Sequence, residues 1–181
     1  MKESEVNINS QDDGINVDGE ITVESGSYII EAGDDGIHAD YKVTVNGGTL
    51  DIEYSWEGIE ATIIEINDGD IYIAAQDDGI NAAQKVSGES PLIEINGGDI
   101  SIDMAQGDTD ALDSNGYIYI YDGTVSLNCQ SPFDYDYDGS IEGGTVYVYG
   151  EQITEMYNQM MGGGHGGGMM GGGGPGGWGR P

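Results

Sequence analysis

Residues 34–38 read Asp34-Asp35-Gly36-Ile37-His38, and the same phrase returns along the chain at a nearly constant interval. Gly36 follows Gly14 by 22 residues, Gly58 follows Gly36 by 22, and Gly79 follows Gly58 by 21. The further copies are Asp12-Asp13-Gly14-Ile15-Asn16, Trp56-Glu57-Gly58-Ile59-Glu60 and Asp77-Asp78-Gly79-Ile80-Asn81, followed by the degenerate Asp110-Ala111-Leu112-Asp113 and Pro132-Phe133-Asp134. A fixed period of this length indicates a repeat architecture.

A second phrase keeps step with the first and marks another corner of each repeat. Its copies are Asn46-Gly47-Gly48-Thr49, Asn67-Asp68-Gly69-Asp70, Asn96-Gly97-Gly98-Asp99, Asp122-Gly123-Thr124 and Glu142-Gly143-Gly144-Thr145. In both phrases we expect the glycine to supply the positive φ angle that a tight turn needs. Between the corners, short segments such as Val43-Thr44-Val45 and Ile71-Tyr72-Ile73 alternate apolar and polar residues, as half-buried strands do.

Short strands of this kind bury their apolar side only when identical coils stack on one another. The sequence therefore predicts an all-β fold, a right-handed parallel β-helix of about six to seven coils over residues 1–160. Residues 161–181 are mostly glycine and methionine and are predicted to form a separate C-terminal tail. A leucine-rich repeat has a similar period, but its Leu consensus and helical segments are missing from this sequence. The regular apolar alternation also argues against a disordered acidic chain.

The charge of the chain limits the partners that it can bind. Lys and Arg total 4 against 34 Asp and Glu in 181 residues, which gives a formal net charge of −30. Nucleic-acid binding needs clustered cationic residues, so this class of function is excluded. An anionic membrane surface is disfavoured for the same reason, and no apolar run is long enough to span a bilayer.

The repeat arranges the acidic residues in columns, because equivalent residues of stacked parallel strands lie about 4.8 Å apart. Two bare carboxylates at that spacing repel by about 1 kcal/mol in water and by more when partly buried. Ca²⁺ selects hard oxygen ligands in such numbers. We therefore predict several calcium ions, held by Asp12, Asp13, Asp34, Asp35, Asp40, Glu57, Glu60, Asp77, Asp78, Asp108, Asp110, Asp113, Asp134 and Asp136. The alternative is that these acids are solvated turn residues, favoured because Asp caps turns with its own side chain.

Outward-facing aromatic residues suggest a surface on which sugar rings could stack. The candidate carbohydrate-binding residues are Tyr54, Trp56, Tyr72, Tyr119 and Tyr147. The competing explanation is that tyrosine simply suits exposed strands. For an acidic polysaccharide, calcium could bridge the carboxylates of the protein to those of the ligand.

The stretch from Asp34 to Ala83 resembles the secreted carbohydrate-binding-domain proteins common in clostridia. It combines the Asp-Asp-Gly-Ile phrase with Val43-Thr44-Val45-Asn46-Gly47-Gly48, and the resemblance continues to about Tyr149. It implies a pectate-lyase-like fold, bound calcium and a plant cell-wall polysaccharide ligand such as cellulose or a pectin-type galacturonan. By motif, the implied calcium ligands are Asp12, Asp13, Asp34, Asp35, Asp77, Asp78, Asp110, Asp113 and Asp134. Ala111 and Pro132 stand where the family pattern has glycine.

Three functions are compatible with this sequence. We expect a secreted or cell-surface, non-catalytic binding module in its mature form, since residues 1–5 lack the apolar centre of a signal peptide. The alternative is a calcium-stabilised fibre, built by head-to-tail stacking of solenoid ends with the glycine-rich tail on the neighbouring subunit. Lyase chemistry needs a basic residue near the calcium, and the chain offers only Lys2, Lys42, Lys85 and Arg180.

Overall fold

A computed structural model describes residues 4–107 and 109–158 of the chain. Their regular structure consists of β-strands, and no helix occurs among them. The strands are β1 Glu5–Asn9, β2 Ile15–Val17, β3 Glu20–Val23, β4 Ser27–Glu31, β5 Ile37–Val45, β6 Thr49–Ser55, β7 Ile59–Ile66, β8 Asp70–Ala75, β9 Ile80–Ala82, β10 Leu92–Ile95, β11 Asp99–Met104, β12 Asp110–Ser114, β13 Tyr117–Ile120, β14 Thr124–Asn128, β15 Ser131–Tyr135, β16 Asp138–Ile141, β17 Thr145–Val148 and β18 Glu151–Ile153.

The strands stack in parallel as a β-solenoid of about six turns, which confirms the predicted fold class. An eight-stranded sheet runs in the order β1-β4-β6-β8-β11-β14-β17-β18. A ten-stranded sheet contains the remaining strands. Its long strands β5 and β7 each pair with two shorter strands in succession, so this sheet forms two rows along the solenoid.

The registers of these strands align the repeats as the sequence predicts. One inward column is continuous through six coils and contains Ile15, Ile37, Ile59, Ile80, Leu112 and Phe133. Its members from Ile37 onward are fully buried, whereas Ile15 at the open N-terminal end is only partly buried. The isoleucine-rich alternation therefore builds a single core that runs along the whole solenoid.

The two glycine phrases turn out to need glycine for different reasons. In the second phrase the expectation of positive φ is confirmed, for example at Gly48 (φ 94°) and Gly98 (φ 93°). In the first phrase it is wrong, because Gly36 and its equivalents are not among the residues with positive φ. There the limit is space, since a Cβ on Gly36 would lie 2.6 Å from the carbonyl oxygen of Gly58.

The C-terminal end of the solenoid differs from its N-terminal end. β18 turns back and pairs with β17 in the antiparallel sense, at the edge of the eight-stranded sheet. Met156 packs against the core, and the Tyr157 ring meets Phe133 edge to face at 6.1 Å. These residues cap the last coil. The predicted glycine-rich tail, residues 161–181, lies outside the described residues.

We predict that Gly36→Ala lowers the melting temperature by roughly 5–10 °C, because crowding a packed stack costs about 1–3 kcal/mol. Gly19→Ala is the matched control, since a Cβ at Gly19 meets nothing within 4 Å. Thermal unfolding followed by circular dichroism measures both. Equal melting temperatures for the two variants would contradict the close-approach explanation.

Candidate functional site

The corner formed by the first phrase brings three columns of polar residues together, and we call it the acidic corner. The inner column contains Asp13, Asp35, Glu57, Asp78 and Asp110. The glycine after each of the first four residues donates its N–H to the backbone carbonyl of the next residue in the column, and these hydrogen bonds keep the column in register. The column that follows the buried isoleucine contains Asn16, His38, Glu60, Asn81, Asp113 and Asp134. Both columns stand in the order that the repeat predicts.

The outer column of the corner is interrupted by an aromatic residue. Trp56 donates its backbone N–H to the carbonyl of Asp34 (2.8 Å) and accepts from the N–H of Asp77 (2.9 Å). Trp56 therefore takes the place of an aspartate between Asp34 and Asp77. The equivalent position one coil beyond Asp77 holds Thr109, because Asp110 aligns with Asp78. The predicted ligand Asp108 lies outside the described residues.

Three groups in the corner place ligand atoms close enough to share one cation. They are Asp12, Asp13 and Asp34; Asp35, His38 and Glu60; and Glu57, Asp77 and Asp78, each with ligand atoms within 4.8 Å of one another. Asp40 lies beside His38, with 3.5 Å between Oδ1 and Nε2, and is about half exposed. Asp136 follows β15, and its backbone N–H binds the carbonyl of Ser114.

The second of these groups already contains cationic side chains. His38 Nδ1 lies 2.8 Å from Asp35 Oδ2 and 2.7 Å from Glu60 Oε2, and Lys85 Nζ lies 2.5 Å from Glu60 Oε1. Burial alone would lower the pKa of His38, but its hydrogen bond to Asp35 and the charge of Glu60 raise it. Lys85 comes from the insertion between β9 and β10, which is fixed where the N–H groups of Lys85 and Val86 donate to Thr62 Oγ1.

Further along the column the carboxylates lack such cations. Among the described residues, neither Asp78 nor Asp113 forms an ion pair with lysine, arginine or histidine. Burial, reinforced by the charge of Asp78, raises the pKa of Asp113 to about 8. Burial also raises the pKa of Asp78 to about 6, and burial with the charge of Glu60 raises the pKa of Glu57 to about 8.

Asn81 gives an independent sign that a cation fits this part of the corner. Its side chain is 8% exposed, and its Nδ2 donates to Glu57 Oε2 at 3.1 Å. Its carbonyl oxygen Oδ1 is buried and has no hydrogen-bond partner. A buried oxygen without a donor costs about 1–3 kcal/mol. A hard cation beside Glu57, Asp78 and Asp113 would supply the missing partner and offset the three carboxylates.

The five predicted carbohydrate-binding aromatics do not form one surface. Tyr54 and Trp56 flank the buried Ser55 at the acidic corner and are 48% and 50% exposed. Tyr54 lines one end of an open cleft of about 570 Å³ that extends to Asn9. Tyr72 and Tyr147 lie on the eight-stranded sheet, where the Tyr72 hydroxyl donates to Asp103 Oδ2 at 3.0 Å.

Tyr119 belongs to a different surface, on the ten-stranded sheet. Its neighbours there are Tyr117 and Tyr121, and Tyr137 lies beside Tyr117. The predicted set lacked these three tyrosines. The alternation Tyr117-Ile118-Tyr119-Ile120-Tyr121 was a signal for two of them, because period 2 places all three tyrosines on one face of the strand.

Comparison with known proteins identifies one matching family. The model of a family described as carbohydrate-binding domain-containing protein matches residues 1–111. This range includes the acidic corner from Asp12 to Asp110, together with Tyr54 and Trp56. No curated protein and no solved structure matches the chain. No helix in the described part of the chain has the length and apolarity needed to cross a bilayer.

The raised carboxyl pKa values predict how stability depends on pH in calcium-free buffer. A group whose pKa is higher in the folded state stabilises the fold below its unfolded pKa, and this contribution is lost as pH rises through the folded value. For Glu57 and Asp113 the loss extends from about pH 4 to about pH 8. The melting temperature should therefore fall between pH 5 and pH 8.

Asp113→Asn should make this fall shallower, because the amide cannot ionise. Glu142→Gln, at an exposed position, is the control and should leave the slope unchanged. Calorimetric melts across this pH range test both variants. A melting temperature that rises from pH 5 to pH 8 in the parent protein would show that these carboxylates are not crowded.

Proposed function

Because the chain belongs to the family of carbohydrate-binding domain-containing proteins, we propose that it is an extracellular, non-catalytic module that binds acidic, pectin-like polysaccharide. The acidic corner and its aromatic pair, Tyr54 and Trp56, form the binding surface in this proposal, and calcium links protein carboxylates to ligand carboxylates. The observation that carries the proposal is the position of Trp56, exposed in the outer column between Asp34 and Asp77.

The calcium part of the proposal rests on the uncompensated carboxylates of the corner. Glu57, Asp77, Asp78, Asn81 and Asp113 would hold an ion, since they offer oxygen ligands and lack a cationic partner among the described residues. Calcium bound there would supply the positive charge that a protein of net charge −30 needs to attract a polyanion. Extracellular modules bind calcium with dissociation constants of about 10⁻⁴–10⁻³ M, which suits a secreted protein.

The aromatic part of the proposal rests on the exposure and the setting of the two rings. Trp56 and Tyr54 stand beside the carboxylates, so a uronate unit stacked on a ring would have its own carboxylate near the column. The open cleft next to Tyr54 gives the neighbouring sugar units a place to lie. Aromatic faces of this kind bind the C–H faces of sugars, while polar groups fix their orientation.

The arrangement of lysines favours binding over lyase chemistry. Both lysines of the described residues are in ion pairs, Lys42 with Glu65 and Lys85 with Glu60, each at 2.5 Å. A general base must be able to release and accept a proton near neutral pH. Its hydrogen bond to Glu60 raises the pKa of Lys85 although burial lowers it, which opposes that role.

The head-to-tail fibre remains the alternative, and the C-terminal cap argues against it. In the eight-stranded sheet, a stacked subunit would have to pair a parallel strand with β17, whose edge is occupied by antiparallel β18. Met156 and Tyr157 cover the last coil near Tyr135 and Phe133. We therefore place the binding module first.

The direct test is the affinity of the full chain for polygalacturonate, measured by affinity electrophoresis with calcium and with a chelator. We expect retention only with calcium, and we expect the double variant Tyr54→Ala, Trp56→Ala to lose roughly tenfold in affinity. Tyr149→Ala is the matched control, because Tyr149 is 61% exposed and lies away from the corner in sequence. Equal retention of the double variant and the parent would remove the aromatic pair from the site, and retention unaffected by chelator would remove calcium from the proposal.

A further inference from the structure

The group formed by Asp35, His38 and Glu60 differs from the rest of the acidic corner, because it offers a nitrogen ligand beside two carboxylates. Asp35 and Glu60 are each only 6% exposed, and the His38 side chain is 16% exposed. Nδ1 of His38 lies 2.8 Å from Asp35 Oδ2 and 2.7 Å from Glu60 Oε2, and the ligand atoms of the group are all within 4.8 Å of one another. Asp35 and His38 lie at the start of β5 and Glu60 lies on β7, so the group joins two neighbouring coils.

A hydrogen bond from His38 cannot satisfy both carboxylates. A histidine ring nitrogen carries at most one proton, and an N–H is well directed at only one acceptor. The proton of Nδ1 therefore serves either Asp35 Oδ2 or Glu60 Oε2, and the other oxygen is left close to the same nitrogen without a donor from it. A buried carboxylate oxygen in that position is costly. A cation among the three atoms would bind both oxygens and the lone pair of Nδ1 together.

The surroundings hold the three ligands in the orientation that a metal ion needs. Nε2 of His38 faces Asp40 Oδ1 at 3.5 Å, so the proton of the neutral ring can stay on Nε2 and leave Nδ1 free to bind. Lys85 Nζ holds the other oxygen of Glu60, Oε1, at 2.5 Å, which turns Oε2 toward the group. Thr62 Oγ1 donates to the carbonyl of Asp40 at 2.8 Å and accepts from the N–H of Lys85 at 3.0 Å, so one hydroxyl fixes both supporting residues.

The ligand types and the charge of the group decide which ion it suits. Calcium selects oxygen ligands, whereas imidazole nitrogen suits transition-metal ions such as zinc, copper and nickel. Asp35, Asp40 and Glu60 carry three negative charges and Lys85 carries one positive charge. A divalent ion beside a neutral His38 ring would bring the group to neutrality.

We propose that Asp35, His38 and Glu60 form a binding site for one divalent transition-metal ion such as Zn²⁺, with Asp40 and Lys85 as positioning residues. The ion links β5 to β7, and the partial exposure of His38 lets a water molecule complete its coordination. The sequence predicts calcium at Asp35 and Glu60, and the imidazole between them changes the ion that the site selects. The site goes beyond the proposed function, since none of its ligands belongs to the residues assigned to calcium there.

The test is a calorimetric titration of the metal-stripped full chain with Zn²⁺ in the presence of saturating calcium. We expect one equivalent of zinc to bind, and His38→Asn to weaken this binding at least about tenfold. Asparagine stands at the same position of the column in other coils, as Asn16 and Asn81, so the variant suits the solenoid, and its melting temperature in calcium checks this. His165→Asn is the matched control, because it removes the other histidine of the chain and should bind zinc as the parent does.

Two further measurements separate this site from the fold and from the calcium proposal. Nitrogen NMR of the His165→Asn variant reports the His38 ring alone, and zinc should shift the Nδ1 signal while Nε2 keeps its proton. The double variant Asp78→Asn, Asp113→Asn removes carboxylates assigned to calcium and should bind zinc as the parent does. A failure of the calcium proposal would therefore leave the zinc result unchanged.

Three results would overturn the proposal. The first is no zinc uptake by the parent in saturating calcium, which would mean that calcium or the protonated His38 ring fills the group. The second is equal zinc affinity of His38→Asn and the parent. The third is a loss of zinc binding in His165→Asn, which would place the ion at the other histidine.

Discussion

The constraint on which the whole structure depends is the stacking of coils in strict register, about 4.8 Å apart. It places Ile37 on Ile59 and Ile59 on Ile80, which makes the core continuous. The same register sets Glu57 next to Asp78 across the coils, which brings carboxylates closer than water alone would favour. The stability of the fold and the crowding of carboxylates in its acidic corner are thus two results of one geometry.

The sequence predicts the columns because a constant period and parallel stacking leave little freedom in register. It could not predict how charge is distributed along them. Lys85 reaches Glu60 from an insertion that has no equivalent in the other coils, and only the folded chain shows that Thr62 fixes it. His38 lies partly buried between the carboxylates of Asp35 and Glu60, and the sequence pattern gives no sign of this pairing. The glycine of the first phrase was assigned to a left-handed turn, because sequence alone does not show the approach of the next coil.

For the aromatic residues too, the sequence pattern predicts which side chains face outward, but it does not predict which of them become neighbours. Period 2 predicts that Tyr119 faces outward, and it does. Which outward tyrosines become neighbours depends on strand pairing, which places Tyr137 of the next coil beside Tyr117 and leaves Tyr72 on another sheet. Trp56 stands out for a further reason, since a large exposed ring takes the place of an aspartate between Asp34 and Asp77. Together these features describe a solenoid with an acidic corner and a separate cluster of tyrosines on the ten-stranded sheet.

The central claim is that the acidic corner holds calcium in the part of the column that lacks cationic side chains. A calorimetric titration of the metal-stripped protein with calcium tests it directly. The account predicts saturable binding with a dissociation constant in or below the millimolar range, which Asp78→Asn, Asp113→Asn weakens at least tenfold and the exposed-site variant Glu142→Gln does not. A folded protein that takes up no calcium at millimolar concentration, or a double variant that binds as the parent does, would contradict the account.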